Sequence, residues 1–186
     1  MTDRHPLAEL SEPEWPVVES VVEYETGWYT GGYDLVEQPD GSTKRYYWAE
    51  LPPATVIVGI TDDQLLFVEQ YRPAIRETQL ELPAGIVEPG EGFCEAAKRE
   101  LAEEAGFEPA ETTLLEEFWC STGVLRHRRG IVLAEELTAV DRELDSNEFL
   151  VPQTVPIEQA LDVARSQPTN DATVEGVLLA KESGVL

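Results

Sequence analysis

Residues 85–107 read GIVEPGEGFCEAAKRELAEEAGF, and this stretch decides the fold because a loop containing glycines runs directly into a helix. Phe93, Ala97 and Leu101 lie at i, i+4 and i+8, which predicts an amphipathic helix with one apolar stripe facing a core. Gly106 is placed to end that helix in the left-handed conformation that favours glycine. The sequence therefore predicts a loop–helix–loop unit.

Three carboxylates occupy the last turns of the predicted helix, on adjoining parts of one face: Glu100, Glu103 and Glu104. They repel one another and lie at the negative end of the helix dipole, at a cost of roughly 0.3–1 kcal/mol for each charge. Such crowding suits a hard divalent cation, which prefers oxygen ligands. The alternative is a solvated acidic face in a protein that is acidic throughout, and charge alone leaves both interpretations open.

The spacing of the stretch favours the metal site, because it resembles the Nudix box at every defined position. The matching residues are Gly85, Glu91, Arg99, Glu100, Leu101, Glu103, Glu104, Gly106 and Phe107. The resemblance implies a site that binds Mg²⁺, with Mn²⁺ as a substitute, and that hydrolyses a nucleoside diphosphate linked to another group.

Length and charge limit the classes of function. The 186 residues suit one domain of ordinary size with a small accessory sheet, and 37 acidic against 13 basic residues give a net charge of −24. Nucleic acid and anionic membranes would be repelled, so neither is an expected partner. The acid-rich, lysine-poor composition is typical of proteins from salt-loving organisms, where high ionic strength screens charge.

Two isolated cysteines, Cys94 and Cys120, have neither the spacing nor the neighbours of a zinc site or a disulfide framework, so we expect buried free thiols. Residues 1–10 contain no apolar signal region, and the longest apolar runs, such as Thr55–Ile60, have the length of a strand. We therefore expect a cytoplasmic protein.

The chain is predicted to divide into an N-terminal β segment, residues 1–52, and a hydrolase domain, residues 53–186. The N-terminal strands are predicted at Val17–Tyr24, Trp28–Gln38 and Thr43–Glu50. So small a sheet cannot bury both faces by itself, and we expect it to pack on the larger domain or on a second subunit.

The larger domain alternates strand and helix patterns. Strands are predicted at Ala54–Gly59, Gln64–Gln70, Leu80–Pro83, Thr113–Cys120, Arg129–Leu137 and Phe149–Pro156; residues 85–90 form a loop, and helices are predicted from about Gly92, at Ile157–Ser166 and from about Asp171 as N-cap to Gly184. The fold class is therefore α/β, and the resemblance, which covers roughly residues 54–182, implies a Nudix-type α/β/α sandwich with a small N-terminal antiparallel β-sheet.

Two segments before the box indicate a branch of the family. Glu69–Pro73 reads EQYRP and Leu80–Gly85 reads LELPAG, which is similar to the approach to the box in ADP-ribose and other nucleotide-sugar pyrophosphatases. The resemblance implies cleavage of ADP-ribose or a related nucleotide sugar to a nucleoside monophosphate and a sugar phosphate. It also implies a homodimer that exchanges N-terminal sheets, so that each site borrows from the other subunit.

The resemblance assigns the metal ligands residue by residue. Glu100 and Glu104 match the main ligands, Glu103 lies beside them, and the Ala84 carbonyl is a further ligand. Glu91 and Arg99, also in the box, match a pair that braces the loop.

Substrate and catalytic candidates follow from the same resemblance. Arg72 matches an arginine that binds the diphosphate, and the alternative is a solvated arginine at a strand end. Glu103, Glu104 and Glu148 are the catalytic candidates; Glu148 matches a glutamate near the attacking water. Glu143, Asp145 and the glutamates of the box compete with Glu148 for the role of catalytic base, so the base stays open.

Two further groups carry weaker assignments. Trp28 is a candidate to stack on a base, although packing in the core or in a dimer is the more frequent use of such a ring. Residues 126–129 read RHRR, where the branch usually has an acidic loop, and Thr122 stands in place of an expected proline. Arg126 is therefore a candidate for substrate binding, with a charged strand edge as the alternative.

Three other functions remain as alternatives. The chain could be a Nudix hydrolase of nucleoside triphosphates or dinucleoside polyphosphates, or a non-catalytic nucleotide-sensing module. The box keeps every glutamate, which favours an enzyme. An RNA-processing hydrolase is disfavoured by the net charge and the lack of an extended basic stripe.

Overall fold

The computed structural model describes residues 15–142 and 149–186. Its contacts divide the chain into two units, which we call the N-terminal unit (residues 15–51 and 121–126) and the main unit (residues 52–120, 127–142 and 149–186). The sequence placed the division after residue 52 and assigned residues 121–126 to the larger domain. The roles predicted for the two domains stay predictions.

The N-terminal unit is a four-stranded sheet in the order β1–β2–β3–β9. Its strands are β1 (Val17–Glu25), β2 (Thr30–Glu37), β3 (Thr43–Glu50) and β9 (Leu125–Arg126). The first three run antiparallel, and the turn between β2 and β3 places Gly41 at a φ of 81°, a conformation that glycine adopts without strain. The short β9 pairs in parallel with β3, which is why residues 121–126 belong to this unit.

The main unit contains one seven-stranded mixed sheet. The path runs β11–β5–β4–β10–β8, with β6 beside β5 and β7 beside β4, and β4 runs parallel to β10. The strands are β4 (Ala54–Thr61), β5 (Gln64–Arg72), β6 (Glu77–Glu81), β7 (Ala84–Ile86), β8 (Phe107–Trp119), β10 (Arg128–Ala139) and β11 (Leu150–Pro156).

Helices cover both faces of this sheet. The first, α1 (Phe93–Glu100), continues into one π-helical turn (Leu101–Ala105), and α2 (Ile157–Ala164) and α3 (Asp171–Glu182) follow β11. Side chains alternate along the central strands, as the period of two requires. In β4, Val56 and Val58 pack with residues of α2 and α3, whereas Ile57 packs with α1 and its π-helical turn. The predicted α/β/α sandwich is confirmed.

The apolar stripe of the first helix is confirmed, since Ala97 and Leu101 are fully buried and Phe93 packs against the same cluster. Gly106 ends the helix with a φ of 73°, as predicted. The N-cap of α3 is Asn170, one residue before the predicted Asp171, and its side chain accepts a hydrogen bond from the Thr173 amide.

One predicted loop is partly a strand, and two predicted strands were wrong in their limits. Residues 84–86 form β7, not a loop, because their backbone pairs with β4. The preceding strand spans Glu77–Glu81, not Leu80–Pro83, and pairs with β5. The strand β8 starts at Phe107, six residues before the predicted start, because β10 extends far enough to pair with its polar first half.

The structure also bears on the cysteines and on membrane-spanning helices. Cys94 and Cys120 are both free thiols, although Cys94 is only partly buried. Among the described residues, no helix is both long and apolar enough to span a bilayer.

Candidate active site

Two of the three clustered carboxylates are buried beside one short piece of backbone. Glu100 and Glu104 lie one turn apart and are 8% and 4% exposed, because the adjoining face of the helix packs into the core. The Ala84 amide donates a hydrogen bond of 3.1 Å to Glu104 Oε2. Glu103 lies on the outer side, with 41% of its side chain exposed. The structure thus brings Ala84 and the predicted metal-binding glutamates together.

Gly85 lies directly against the Glu100 carboxylate. A Cβ atom at this position would overlap all three atoms of that carboxylate group. Only glycine therefore lets the β7 backbone and Glu100 approach so closely. The backbone of Gly85 does not have a positive φ, so its conformation does not require glycine. Glycine is needed here because of the close contact with Glu100.

Arg99 holds the loop to the helix. Its Nε and Nη2 donate to the two Glu91 oxygens, both at 3.0 Å, and Nη2 also donates to the Ile86 carbonyl at 2.8 Å. Its Nη1 donates to Glu100 at 2.9 Å and to Glu103 at 3.1 Å. The predicted Glu91–Arg99 pair is confirmed, and the same guanidinium orients two of the metal-binding candidates.

These contacts change the ionisation of the pair. The hydrogen bonds from Arg99 hold the pKa of the Glu91 carboxyl below its ordinary value. In return, hydrogen bonding to Glu91, supported by Glu100, raises the pKa of the Arg99 guanidinium above its usual range. Both groups therefore stay charged at neutral pH, and the ion pair that joins the loop to the helix persists there.

The donor set fits a hard divalent cation. Among the described residues, no three His, Cys, Asp or Glu side chains form a ready-made metal cluster. Mg²⁺ does not require one, because it keeps several waters and binds proteins through one or two carboxylates together with substrate phosphates. Glu100 and Glu104 supply two buried carboxylates against the same backbone, and every donor in the set is an oxygen.

A cavity of about 430 Å³ lies in the main unit, next to this cluster. Its lining includes Arg72, Glu81, Ala84, Arg129 and Asn170. Arg72 Nε donates to Glu81 Oε1 at 2.7 Å. Within the described ranges, the terminal nitrogens of Arg72 have no hydrogen-bond partner. The arginine predicted to bind a diphosphate therefore lies in the same cavity as the predicted ligand Ala84.

Two substrate candidates belong to the N-terminal unit. Trp28 lies in the turn between β1 and β2 with 66% of its surface exposed. Arg126 stacks on Trp48 at 4.0 Å and donates to Asp34 Oδ2 at 2.5 Å. Its contacts in this structure therefore hold β9 to the N-terminal sheet, and substrate binding by either residue stays a prediction.

The rest of the basic cluster is engaged by separate acceptors. His127 Nδ1 lies 2.8 Å from the Pro52 carbonyl. Arg128 pairs with Glu117, and Arg129 pairs with Asp171 and Glu175 on α3. Of the candidates for the base, Glu148, Glu143 and Asp145 lie outside the described residues.

Glu81 and Asn170 line the cavity and were not among the predicted site residues. Glu81 is only 5% exposed and lies between Leu80 and Leu82, so a charged residue between two leucines was the available signal. Asn170 gave the weaker signal of a residue type favoured at helix N-caps.

Comparison with known proteins shows what the chain is similar to. Residues 50–176 match the model of the NUDIX domain. The chain is 34% identical over 140 residues to an ADP-ribose pyrophosphatase of Bacillus subtilis (strain 168), covering 74% of this chain and 76% of the relative. It is 31% identical over 130 residues to the ADP compounds hydrolase NudE of Escherichia coli (strain K12), covering 69% and 70%.

A solved structure extends the likeness beyond the box. The crystal structure of an ADP compounds hydrolase superposes with a TM-score of 0.85 at 26% identity, covering 93% of this chain and 95% of the other. The family model, the two relatives and this structure together define a hydrolase of a class that generally uses divalent metal ions. The chain belongs to the NUDIX family, and it is a Nudix hydrolase.

Proposed function

We propose that this enzyme hydrolyses the diphosphate of ADP-ribose or a related ADP-sugar, with Mg²⁺, to AMP and a sugar phosphate. The observation that carries the proposal is the placement of Glu100 and Glu104 beside Gly85 and Ala84, because Ala84 lines a cavity together with Arg72. The names of the two relatives, an ADP-ribose pyrophosphatase and an ADP compounds hydrolase, support the same substrate class.

Each group has a separate role in the proposed mechanism. Glu100, Glu103, Glu104 and the Ala84 carbonyl would hold Mg²⁺, or Mn²⁺ as a substitute. Bound there, the metal neutralises phosphoryl oxygens and lowers the pKa of water. The terminal nitrogens of Arg72 form a planar fork that matches two phosphate oxygens and would align the diphosphate. In this proposal Glu148 accepts the proton of the attacking water, as its place in the sequence predicts.

A substrate panel tests the proposal. Phosphate release after phosphatase coupling would be measured for ADP-ribose, ADP-glucose, GDP-mannose, diadenosine polyphosphates and nucleoside triphosphates, with Mg²⁺ and with Mn²⁺, at low and at high salt. We expect the largest kcat/KM for the ADP-sugars and none without a divalent cation. A preference for triphosphates would contradict the substrate class, and inactivity with every compound would contradict catalysis itself.

We also propose that the N-terminal sheet joins two copies of this chain. Three apolar residues of β1, Val18, Val22 and Tyr24, are 57%, 54% and 47% exposed. Several exposed apolar side chains on one short strand favour an interaction surface in a protein that otherwise carries so much charge. A second copy would present the same strands and cover them. The two free thiols support a reducing, cytoplasmic location for the assembly.

Sedimentation equilibrium measures this association. We expect twice the chain mass of 20.7 kDa for the wild type and a single chain mass for Val22→Glu. Val151→Glu, at an equally exposed valine of the main unit (53%), is the matched control and should keep the doubled mass. A wild type that sediments as a single chain would contradict the proposal.

A further inference from the structure

A chain of hydrogen bonds links the start of α3 to the arginine in the cavity. Asn170 Nδ2 donates to Glu81 Oε2 at 2.8 Å and to Gln79 Oε1 at 3.1 Å. The other oxygen of Glu81 accepts from Arg72 Nε at 2.7 Å. Glu81 therefore lies between Asn170 and Arg72, with one oxygen bound to each.

This arrangement is rigid at its inner end. The Glu81 side chain is 6% exposed, so its charge requires partners that stay in place. Asn170 is fixed because its Oδ1 accepts from the Thr173 amide at 2.8 Å, which caps α3. Thr173, itself 1% exposed, accepts from the Leu82 amide at 3.1 Å through its hydroxyl. The helix start and the strand end are thus joined at two points.

At the outer end of the chain, Arg72 lines the cavity, and its terminal nitrogens have no hydrogen-bond partner in the described part of the protein. Arg72 is bound to Glu81 through Nε alone, and 41% of its side chain is exposed. A guanidinium held at its Nε edge keeps both terminal nitrogens available on the opposite side, in a fork that matches two oxygens of a phosphate. Without Glu81 in place, the long side chain would sample several rotamers, and ordering it would weaken binding.

We propose that Asn170 is a positioning residue for diphosphate recognition: it fixes Glu81, and Glu81 orients the Arg72 fork toward the cavity. The inference rests on the proposed function, because it takes Arg72 as the diphosphate-binding arginine. It assigns to the N-terminus of α3, which carries no part of the Nudix box, control over the substrate affinity of the site.

Asn170→Ser separates this role from helix capping. Serine caps helices about as well as asparagine, but its side chain is too short to reach Glu81. We expect kcat/KM for ADP-ribose to fall about 10-fold, mainly through a raised KM, as lost coupling between neighbouring residues of this kind predicts. Ser183→Ala, which removes a hydrogen bond at the other end of α3, is the control and should leave kcat/KM unchanged.

A double-mutant cycle with Arg72→Ala provides the decisive readout. If Asn170 acts through Arg72, Asn170→Ser should lower kcat/KM less than about 2-fold in the Arg72→Ala background. An equal loss in both backgrounds would overturn the inference, since a general effect on the fold would persist without Arg72. If Asn170→Ser fails to fold, Glu81→Gln replaces it in the same cycle with the same expected pattern.

Binding of inorganic pyrophosphate, measured by calorimetry in the same four proteins, separates this inference from the proposed function. Non-additive loss of pyrophosphate affinity without ADP-ribose turnover in the wild type would refute the proposed function and support the inference. Turnover of ADP-ribose, with additive effects of the two substitutions on both kcat/KM and pyrophosphate affinity, would support the proposed function and refute the inference.

Discussion

Replacing Glu104 with glutamine is expected to abolish turnover while the protein stays folded. The fold should persist because a glutamine carbonyl oxygen can still accept the hydrogen bond that the Ala84 amide donates to Glu104. Turnover should fail because the substitution removes a negative charge from a buried pair that we propose to hold Mg²⁺. Mutation of a residue that only supports a metal ligand lowers metal affinity or activity about 10–100-fold. Loss of a ligand itself should therefore lower kcat/KM about 100-fold or more.

The measurement is kcat/KM for ADP-ribose at saturating Mg²⁺, together with the thermal unfolding midpoint. Glu111→Gln makes the same change of charge on an exposed position of β8 and should leave both quantities unchanged. Undiminished activity of Glu104→Gln in excess metal would contradict the proposed role of the carboxylate. A large fall in the unfolding midpoint would instead assign Glu104 to stability.

The Nudix fold was predictable because its signals are local. The helix of the box is encoded by the i, i+4, i+8 spacing of Phe93, Ala97 and Leu101, and the structure buries that stripe. Burial of both faces of β4 follows from its run of apolar residues. The run is too short for a helix and too continuous for a strand with one face in solvent. A helix or strand with a regular apolar pattern can be predicted without knowing which element it packs against.

The features that depend on distant pairing were not predictable in the same way. The strand β7 has three residues, and its backbone is extended because β4 lies beside it. The contact between Asn170 and Glu81 joins residues 89 positions apart. The periodicity of a sequence does not encode such a contact. The sequence therefore marked Glu81 as an unusual charged residue but did not show which residue it contacts. The pairing of β9 with β3 has the same origin, since two residues are too few to show a strand pattern.

Glycine at position 85 illustrates how a local signal acquires its physical meaning only in the structure. The sequence predicted that Gly85 lies in a loop. The structure instead places Gly85 in β7, paired with Thr55 of β4, and the group that comes close to it is the Glu100 carboxylate. The residue therefore controls where a proposed metal ligand lies.

Gly85→Ala is expected to lower activity by displacing Glu100, with little effect on the fold. The new methyl group would overlap the Glu100 carboxylate, which is the end of a flexible side chain and can move where backbone cannot. Movement would take that oxygen ligand away from Ala84 and Glu104. We expect the Mg²⁺ concentration for half-maximal activity to rise about 10–100-fold, as for other disturbed ligand geometries.

A Mg²⁺ titration of activity, with thermal unfolding beside it, separates this effect from general damage. Gly27→Ala is the matched control, because a Cβ atom there meets nothing within 4 Å and should change neither quantity. If Glu100 holds the metal, excess Mg²⁺ should restore part of the turnover of Gly85→Ala, since metal binding then competes against displacement of the carboxylate. An unchanged Mg²⁺ requirement with reduced kcat would mean that Gly85 acts on the substrate through its backbone and that Glu100 is not a ligand.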